Sequence, residues 1–166
     1  LFERAVKAGA DARTERFQSF QYNNNHIKVQ TSKGTYSTKL IIGADGANSL
    51  VAQNAGLKQP RNIYIGLQTT ASGGFEQFAE LWFGRKIAPD FFAWLVPENE
   101  EVARIGVGSS ISPKIFYERF LENRLGSNGM KPDVAGVMRF GVMKDTVASN
   151  LMLVGDAACQ VKPFSG

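Results

Sequence analysis

The stretch Leu151–Gly166 reads LMLVGDAACQVKPFSG. An apolar run, Leu151 to Val154, leads straight into Gly155 and Asp156. A short apolar run bounded by glycine predicts a buried strand. A carboxylate at the C-terminal end of such a strand faces the crevice in which open sheets bind ligands. Asp156 could accept hydrogen bonds there from sugar or polyol hydroxyls. Gly155 lets the backbone turn sharply or approach a ligand closely. The small Ala157 and Ala158 are expected to leave room for a flat or extended molecule. Residues after Pro163 could open a helix whose free backbone donors, around Gly166, face an anionic or electron-rich edge.

The same pattern occurs once more. Lys39–Ile42 runs into GADGANSLV at 43–51, placing Asp45 and Gly46 after an apolar strand. Asp-Gly and Gly-Asp are common turn pairs, and one alone carries little weight. Two, each after an apolar run and separated by about a hundred residues of different character, predict two strand ends bordering one crevice.

That intervening character organises the chain. Phe2–Ala8 predicts a short helix ending at Gly9. Arg13–Tyr22, His26–Thr31 and Thr35–Leu40, joined by Asn23-Asn24-Asn25 and Ser32-Lys33-Gly34, predict an antiparallel meander. Residues 47–55 predict a short helix. From Arg61 the pattern becomes strand-rich: Ile63, Ile65 and Leu67 alternate, and Phe78–Phe83, Phe91–Val96 and Val102–Val107 follow. Pro113 opens a helix with Phe116, Phe120 and Leu125 on one side, closed by Gly126. Val134–Val142 predicts a further strand. The domain reading is therefore residues 1–58, a second lobe at 59–148, and a return to the first lobe at 149–166.

Composition excludes several function classes. The net charge is +4, with 19 Lys and Arg against 15 Asp and Glu, and Arg85-Lys86 forms a rare adjacent basic pair. This is too sparse for a nucleic-acid surface, though weak attraction to anionic lipid stays open. One Cys and one His provide neither an internal disulfide nor a zinc cluster. No apolar run approaches the ~18 residues that suggest a membrane-spanning helix.

GADGANSLV and VGDAACQVKPFSG together resemble two flavin fingerprints of the monooxygenase-like flavoproteins. Within that superfamily, the geranylgeranyl reductase family fits best. Its substrate-side motif is similar to Pro89, Phe92, Trp94, Val96 and Pro97, followed after eight residues by Gly106-Val107-Gly108. Phe92 stands where the family has tyrosine, and Val96 where it has phenylalanine. Ala52 replaces a frequent arginine, Cys159 a glycine, and Arg139 a proline.

The resemblance implies an α+β or α/β fold: part of a Rossmann-like FAD-binding lobe carrying an inserted antiparallel-sheet substrate lobe. It implies FAD as cofactor, held by Asp45, Gly46, Gly155, Asp156, Ala157, Pro163 and Gly166. It implies a prenyl lipid substrate against Phe92, Trp94, Val96 and Pro97. An electron donor such as NAD(P)H or ferredoxin is expected. So is a cytoplasmic location, with possible transient contact to a membrane surface. The family's Gly-x-Gly-x-x-Gly turn is absent, and GLQTTASGG at 66–74 does not fit it, so the chain is expected to be an internal segment of a longer enzyme.

Bottom-up chemistry agrees with a lipid reductase. Saturating an isolated alkene needs a hydride-type donor, which reduced flavin supplies and side chains cannot. An apolar wall binds a polyprenyl chain through the area removed from water. Strand alternation predicts Phe92 and Trp94 on one face, and Phe91, Ala93 and Leu95 on the other. No proton donor stands out. Tyr64 and Tyr117 read as surface or core residues, His26 as solvated, Cys159 as small filler, and Lys162 as either a cofactor or lipid-phosphate contact or simply exposed. The alternatives are an aromatic hydroxylase using NAD(P)H and oxygen, and a non-catalytic remnant.

Overall fold

The computed structural model describes residues 1–127 and 129–161. Lys162, Pro163 and Gly166 lie outside them. Helix α1 (Phe2–Lys7) is followed by β1 (Phe17–Asn23), β2 (His26–Thr31) and β3 (Thr35–Thr38), an antiparallel sheet in chain order. Asn24 at the first hairpin turn has φ 49°, a left-handed conformation that asparagine tolerates.

Next come β4 (Ile41–Gly43) and α2 (Leu50–Asn54). The chain then makes β5 (Asn62–Ser72), β6 (Glu80–Gly84), β7 (Ala88–Pro97) and β8 (Val102–Ser109). Helix α3 (Pro113–Leu125) follows, with Gly126 in the left-handed region at its end, and then β9 (Val134–Phe140). These five strands form one antiparallel sheet in the order β6-β7-β8-β5-β9. Finally β10 (Val147–Ala148) pairs antiparallel with β11 (Leu151–Leu153), which lies parallel to β4.

Two separate cores result. In the larger sheet, Leu67, Ala93, Leu95, Ala103, Ile105 and Val107 point to one face and pack against Tyr117, Phe120 and Leu121 of α3. Full burial of each leucine or isoleucine contributes about 1.5–3 kcal/mol. The second core joins the meander to the short parallel sheet through Phe20, Ile27, Val51, Ala52, Met143, Leu151 and Leu153. Met143, ahead of the expected return at residue 149, also packs in this core.

Gly43 shows how tightly α2 sits on this sheet. A Cβ there would lie 2.7 Å from Leu153 Cδ2 and 2.9 Å from Val51 Cγ1. Only glycine allows that approach.

Candidate functional site

Both aspartates sit where strands end. Because Gly43 is in register with Leu153 on parallel strands, the segments after β4 and β11 leave the sheet at the same end. Val154 N–H donates to Gly43 O at 2.9 Å, joining the two exits.

The Asp45 carboxylate is engaged locally. Ser49 Oγ donates to Asp45 Oδ1 at 2.5 Å, and Val51 N–H donates to Oδ2 at 3.1 Å. Ser49 Oγ in turn accepts from Ala52 N–H at 2.9 Å. Two orphan donors of the first turn of α2 are thereby satisfied. Gly46, with φ 83°, makes the reversal between them. Asp45 thus shapes this loop.

Asp156 differs. It is exposed, and its carboxylate makes no hydrogen bond among the described residues. Gly155, with φ 59°, turns the chain into a short 3-10 turn, Gly155–Ala158. Ala157 and Ala158 do not leave a cleft open, as their size suggested. Their methyl groups are buried in the second core, at 0% and 3% exposure. Any contact of Ala157 with a ligand would come from its backbone. Cys159 is buried, and burial pushes its thiol pKa up, against a smaller opposing effect of the Arg139 charge. The thiol helps to fill the second core.

The second feature is an aromatic wall on the sheet face opposite α3. Phe92 and Trp94 share it, with ring centroids 5.9 Å apart, and Val96 has the same parity along β7. Pro97 has the opposite parity, at the strand end, and takes no place on this wall. Phe91 is not on the core face that simple alternation assigns it. Its ring stacks on Phe92 at 4.1 Å and lies over Gly108, where a Cβ would meet Phe91 Cδ1 at 2.3 Å. The missing side chain of Gly108 leaves space for this departure.

Gly106 does the same under Trp94. A Cβ there would be 2.4 Å from Trp94 Cζ2 and 2.5 Å from Leu67 O. Trp94 Nε1–H donates to Gln68 Oε1 at 3.1 Å, which fixes the indole's orientation. The Gly-x-Gly pair is therefore the floor against which two rings pack. Tyr64 and Phe140 extend the wall: their rings are 4.9 Å apart, and each touches Phe91, at 5.8 Å and 5.4 Å. His26 is exposed on β2 and Tyr117 is buried between α3 and the opposite face of the sheet, so neither belongs to it.

Strand β9 links wall and loop. Phe140 belongs to the wall, while its neighbour Arg139 reaches the other half of the chain. Arg139 Nε–H donates to Ala47 O at 3.0 Å, an Nη1–H to Pro60 O at 2.5 Å, and an Nη2–H to Asn48 Oδ1 at 3.1 Å. Gln59 Nε2–H donates to Ala157 O at 3.0 Å. The sequence marked Arg139 only as a departure from an expected proline. Its partners are 79 to 92 positions away in sequence, a separation local patterns do not register. Gln68 and Phe140 escaped notice because their roles depend on sheet register.

Comparison with known proteins agrees with this geometry. No family profile matches the chain. Digeranylgeranylglycerophospholipid reductase 1 of Methanococcoides burtonii is 35% identical over 146 residues, covering 80% of this chain and 36% of the relative. The digeranylgeranylglycerophospholipid reductase of Methanosarcina acetivorans is 30% identical, covering 100% of this chain and 46% of the relative. A geranylgeranyl bacteriochlorophyll reductase-like protein from Thermoplasma acidophilum superposes with a TM-score of 0.81 at 29% identity, over 96% of this chain and 45% of that one. A flavin-dependent halogenase shares the fold at a TM-score of 0.71 and 14% identity, over 97% of this chain and 34% of that one.

The fold is that of the FAD-dependent, monooxygenase-like flavoproteins. Within that class the chain is similar to the digeranylgeranylglycerophospholipid reductases over the part of their length that it spans. It spans less than half the length of these curated relatives.

Proposed function

We propose that this chain forms part of an FAD-dependent reductase that saturates isoprenoid double bonds of a membrane lipid or a related prenyl compound. The observation that carries the proposal is the glycine-floored aromatic wall, joined through β9 to the loop beside Asp156. The names of the relatives reported above support the same reading, and the hydroxylases and halogenases that share the fold are more distant in sequence.

The described residues fit a flavin cofactor in one decisive respect. Asp156 offers an exposed carboxylate at a strand end that makes no hydrogen bond among the described residues. A ribityl hydroxyl would satisfy it. Asp45 and Gly46 would support the adjacent loop, with Asp45 acting through α2. Gly155 gives the chain its turn beside Asp156. Pro163 and Gly166 complete the proposed cofactor segment. Reduced flavin supplies the hydride equivalent that no side chain here can supply.

Phe91, Phe92, Trp94 and Val96 would hold the prenyl chain by area removed from water and exclude solvent from it. Phe92, having no hydroxyl, adds only a surface. The electron donor would be NAD(P)H or a ferredoxin, and the location cytoplasmic with peripheral contact to the membrane. No described helix is long and apolar enough to cross a membrane. We further assign residues 1–58 and 149–166 to the cofactor domain and 59–148 to the substrate domain.

The test uses the full-length protein. Purified with its flavin, reduced by dithionite and offered a geranylgeranyl lipid, it should add pairs of hydrogens detectable by mass. Asp156→Ala should lose roughly 1–3 kcal/mol of flavin affinity with its circular dichroism intact. Unchanged flavin content refutes the assignment of Asp156. Hydroxylation of an aromatic ring with NADPH and oxygen, without reduction of the lipid, would favour the hydroxylase instead.

A further inference from the structure

The hairpin between β6 and β7 carries an unusual surface. Leu81, Trp82 and Phe83 are 50%, 39% and 60% exposed, and Phe78 just before them is 56% exposed. Three consecutive large apolar residues on an edge strand are normally covered or interrupted by charge. Here the charge follows immediately, as Arg85 and Lys86 in the turn after Gly84.

The two faces of β6 do different things. Trp82 points toward α3, with its ring 6.0 Å from Phe120. Between hairpin and helix lies a cavity of about 150 Å³, whose lining includes Trp82, Lys86, Ile87, Arg119, Phe120 and Arg124. Arg124 is neutralised by Glu80, its Nη2 at 2.5 Å from the carboxylate. Lys86 and Arg119 make no ion pair among the described residues, and Arg119 rests 5.7 Å over the Phe116 ring. The cavity thus combines an apolar floor with two uncompensated cations. On the other face, Leu81 pairs across from Trp94, and Phe83 lies 5.8 Å from Phe92. The exposed edge is continuous with the aromatic wall.

An aromatic residue at an apolar edge flanked by Lys and Arg is the combination that suits a membrane–water interface. The rings enter the boundary of the acyl chains while the cations meet headgroup phosphates. We propose that the β6–β7 hairpin, together with Lys86 and Arg119, seats the protein on an anionic lipid surface. The charge complementarity of the cavity selects that occupant over a neutral apolar partner. This inference rests on the reductase reading, and it supplies what that reading needs. A prenyl chain leaving the bilayer meets Leu81 and Phe83 first, then Phe92, without crossing water.

The experiment is co-sedimentation of the full-length protein with two kinds of vesicle, phosphatidylcholine alone and phosphatidylcholine mixed with phosphatidylglycerol. The parent should bind the anionic vesicles and bind the neutral ones far more weakly. Lys86→Gln combined with Arg119→Gln should weaken anionic binding about 30-fold, a factor of about 5 for each cation near the surface. Both side chains are on the surface, so the thermal midpoint should stay put. The double variant should still reduce prenyl lipid dispersed in detergent at the parent rate. Equal binding of the double variant and the parent overturns the role of the cations. A parent that reduces detergent-dispersed lipid yet ignores both vesicle types overturns the docking surface and leaves the activity standing. Vesicle binding that follows the predicted pattern without any lipid reduction upholds the surface and removes the reductase reading. A parent dimer that Phe83→Asp converts to monomer, with vesicle binding unaltered, gives the hairpin to a protein interface and overturns the proposal.

Discussion

Gly106→Ala is the sharpest test of the aromatic wall. The added methyl would sit 2.4 Å from Trp94 Cζ2 and 2.5 Å from Leu67 O. Ordinary carbon contacts begin about 1 Å further out. Leu67 O cannot give way easily, since Leu67 is held in the ladder between β8 and β9. The indole must therefore lift, and lifting it strains or breaks the Trp94–Gln68 hydrogen bond of 3.1 Å. Overpacking of this kind costs about 1–3 kcal/mol, and the lost hydrogen bond about 1 kcal/mol. The expected destabilisation is about 2–4 kcal/mol, read by urea unfolding at constant slope. Tryptophan emission should change as Trp94 moves. Gly136→Ala is the control, because it lies on the same sheet face with nothing within 4 Å of its new Cβ. It should fall within about 0.5 kcal/mol of the parent. A Gly106→Ala protein as stable as that control, with unaltered emission, would refute the stacked arrangement.

Two further outcomes are expected. Arg139→Met removes three donors from Ala47 O, Pro60 O and Asn48 Oδ1, costing about 1–3 kcal/mol; hydrogen exchange should quicken in residues 47–60 and stay unchanged in β7 and β8. Glu80, held below the usual glutamate range chiefly by its hydrogen bonds from Arg124, contributes stability that is present above that range and lost as pH falls through its depressed value. Glu80→Gln should accordingly cost about 1–3 kcal/mol near neutrality, with the difference closing in acid; a gap that persists at low pH contradicts the ionic origin.

Much of this architecture was legible in the sequence where one residue's neighbours along the chain decide its state. His26–Thr31 alternates between turn signals and is the strand β2 residue for residue. Pro113 and Gly126 bracket α3 because proline presets the first helical φ, while glycine accepts the left-handed φ of 63° at its end. The pairing of the two aspartate segments was legible too, because each follows an apolar run. What failed did so at longer range. β10 has two residues and exists only through its pairing with β11. Phe91 leaves its expected face because Gly108, on the neighbouring strand, has no side chain to prevent it. The alanines after Asp156 are small to fit a core, a reason that looks identical in sequence to leaving a cleft. Asp45 and Asp156 share a motif, yet only the fold reveals that Ser49 and Val51 engage the first, while the second has no hydrogen bond among the described residues.

The departures from the family pattern have a physical logic when taken together. Loss of a hydroxyl at Phe92 lets that ring stack on Phe91 at 4.1 Å with no polar atom to satisfy. The Trp94 N–H, the other polar group of the motif, is already engaged by Gln68. The motif rings therefore present area and no free hydrogen-bond donor, so under the proposed function they would discriminate by shape. Shape selection of an apolar chain amounts to about 0.8 kcal/mol for each buried methylene, which favours length and bend over headgroup identity. Such selection would require the wall to keep a fixed position relative to the proposed cofactor loop. Arg139 meets that need. A proline could stiffen β9 alone, whereas the guanidinium fixes β9 to Ala47, Asn48 and Pro60 at once. A wall without directional contacts and a clamp with three of them are two parts of the same arrangement.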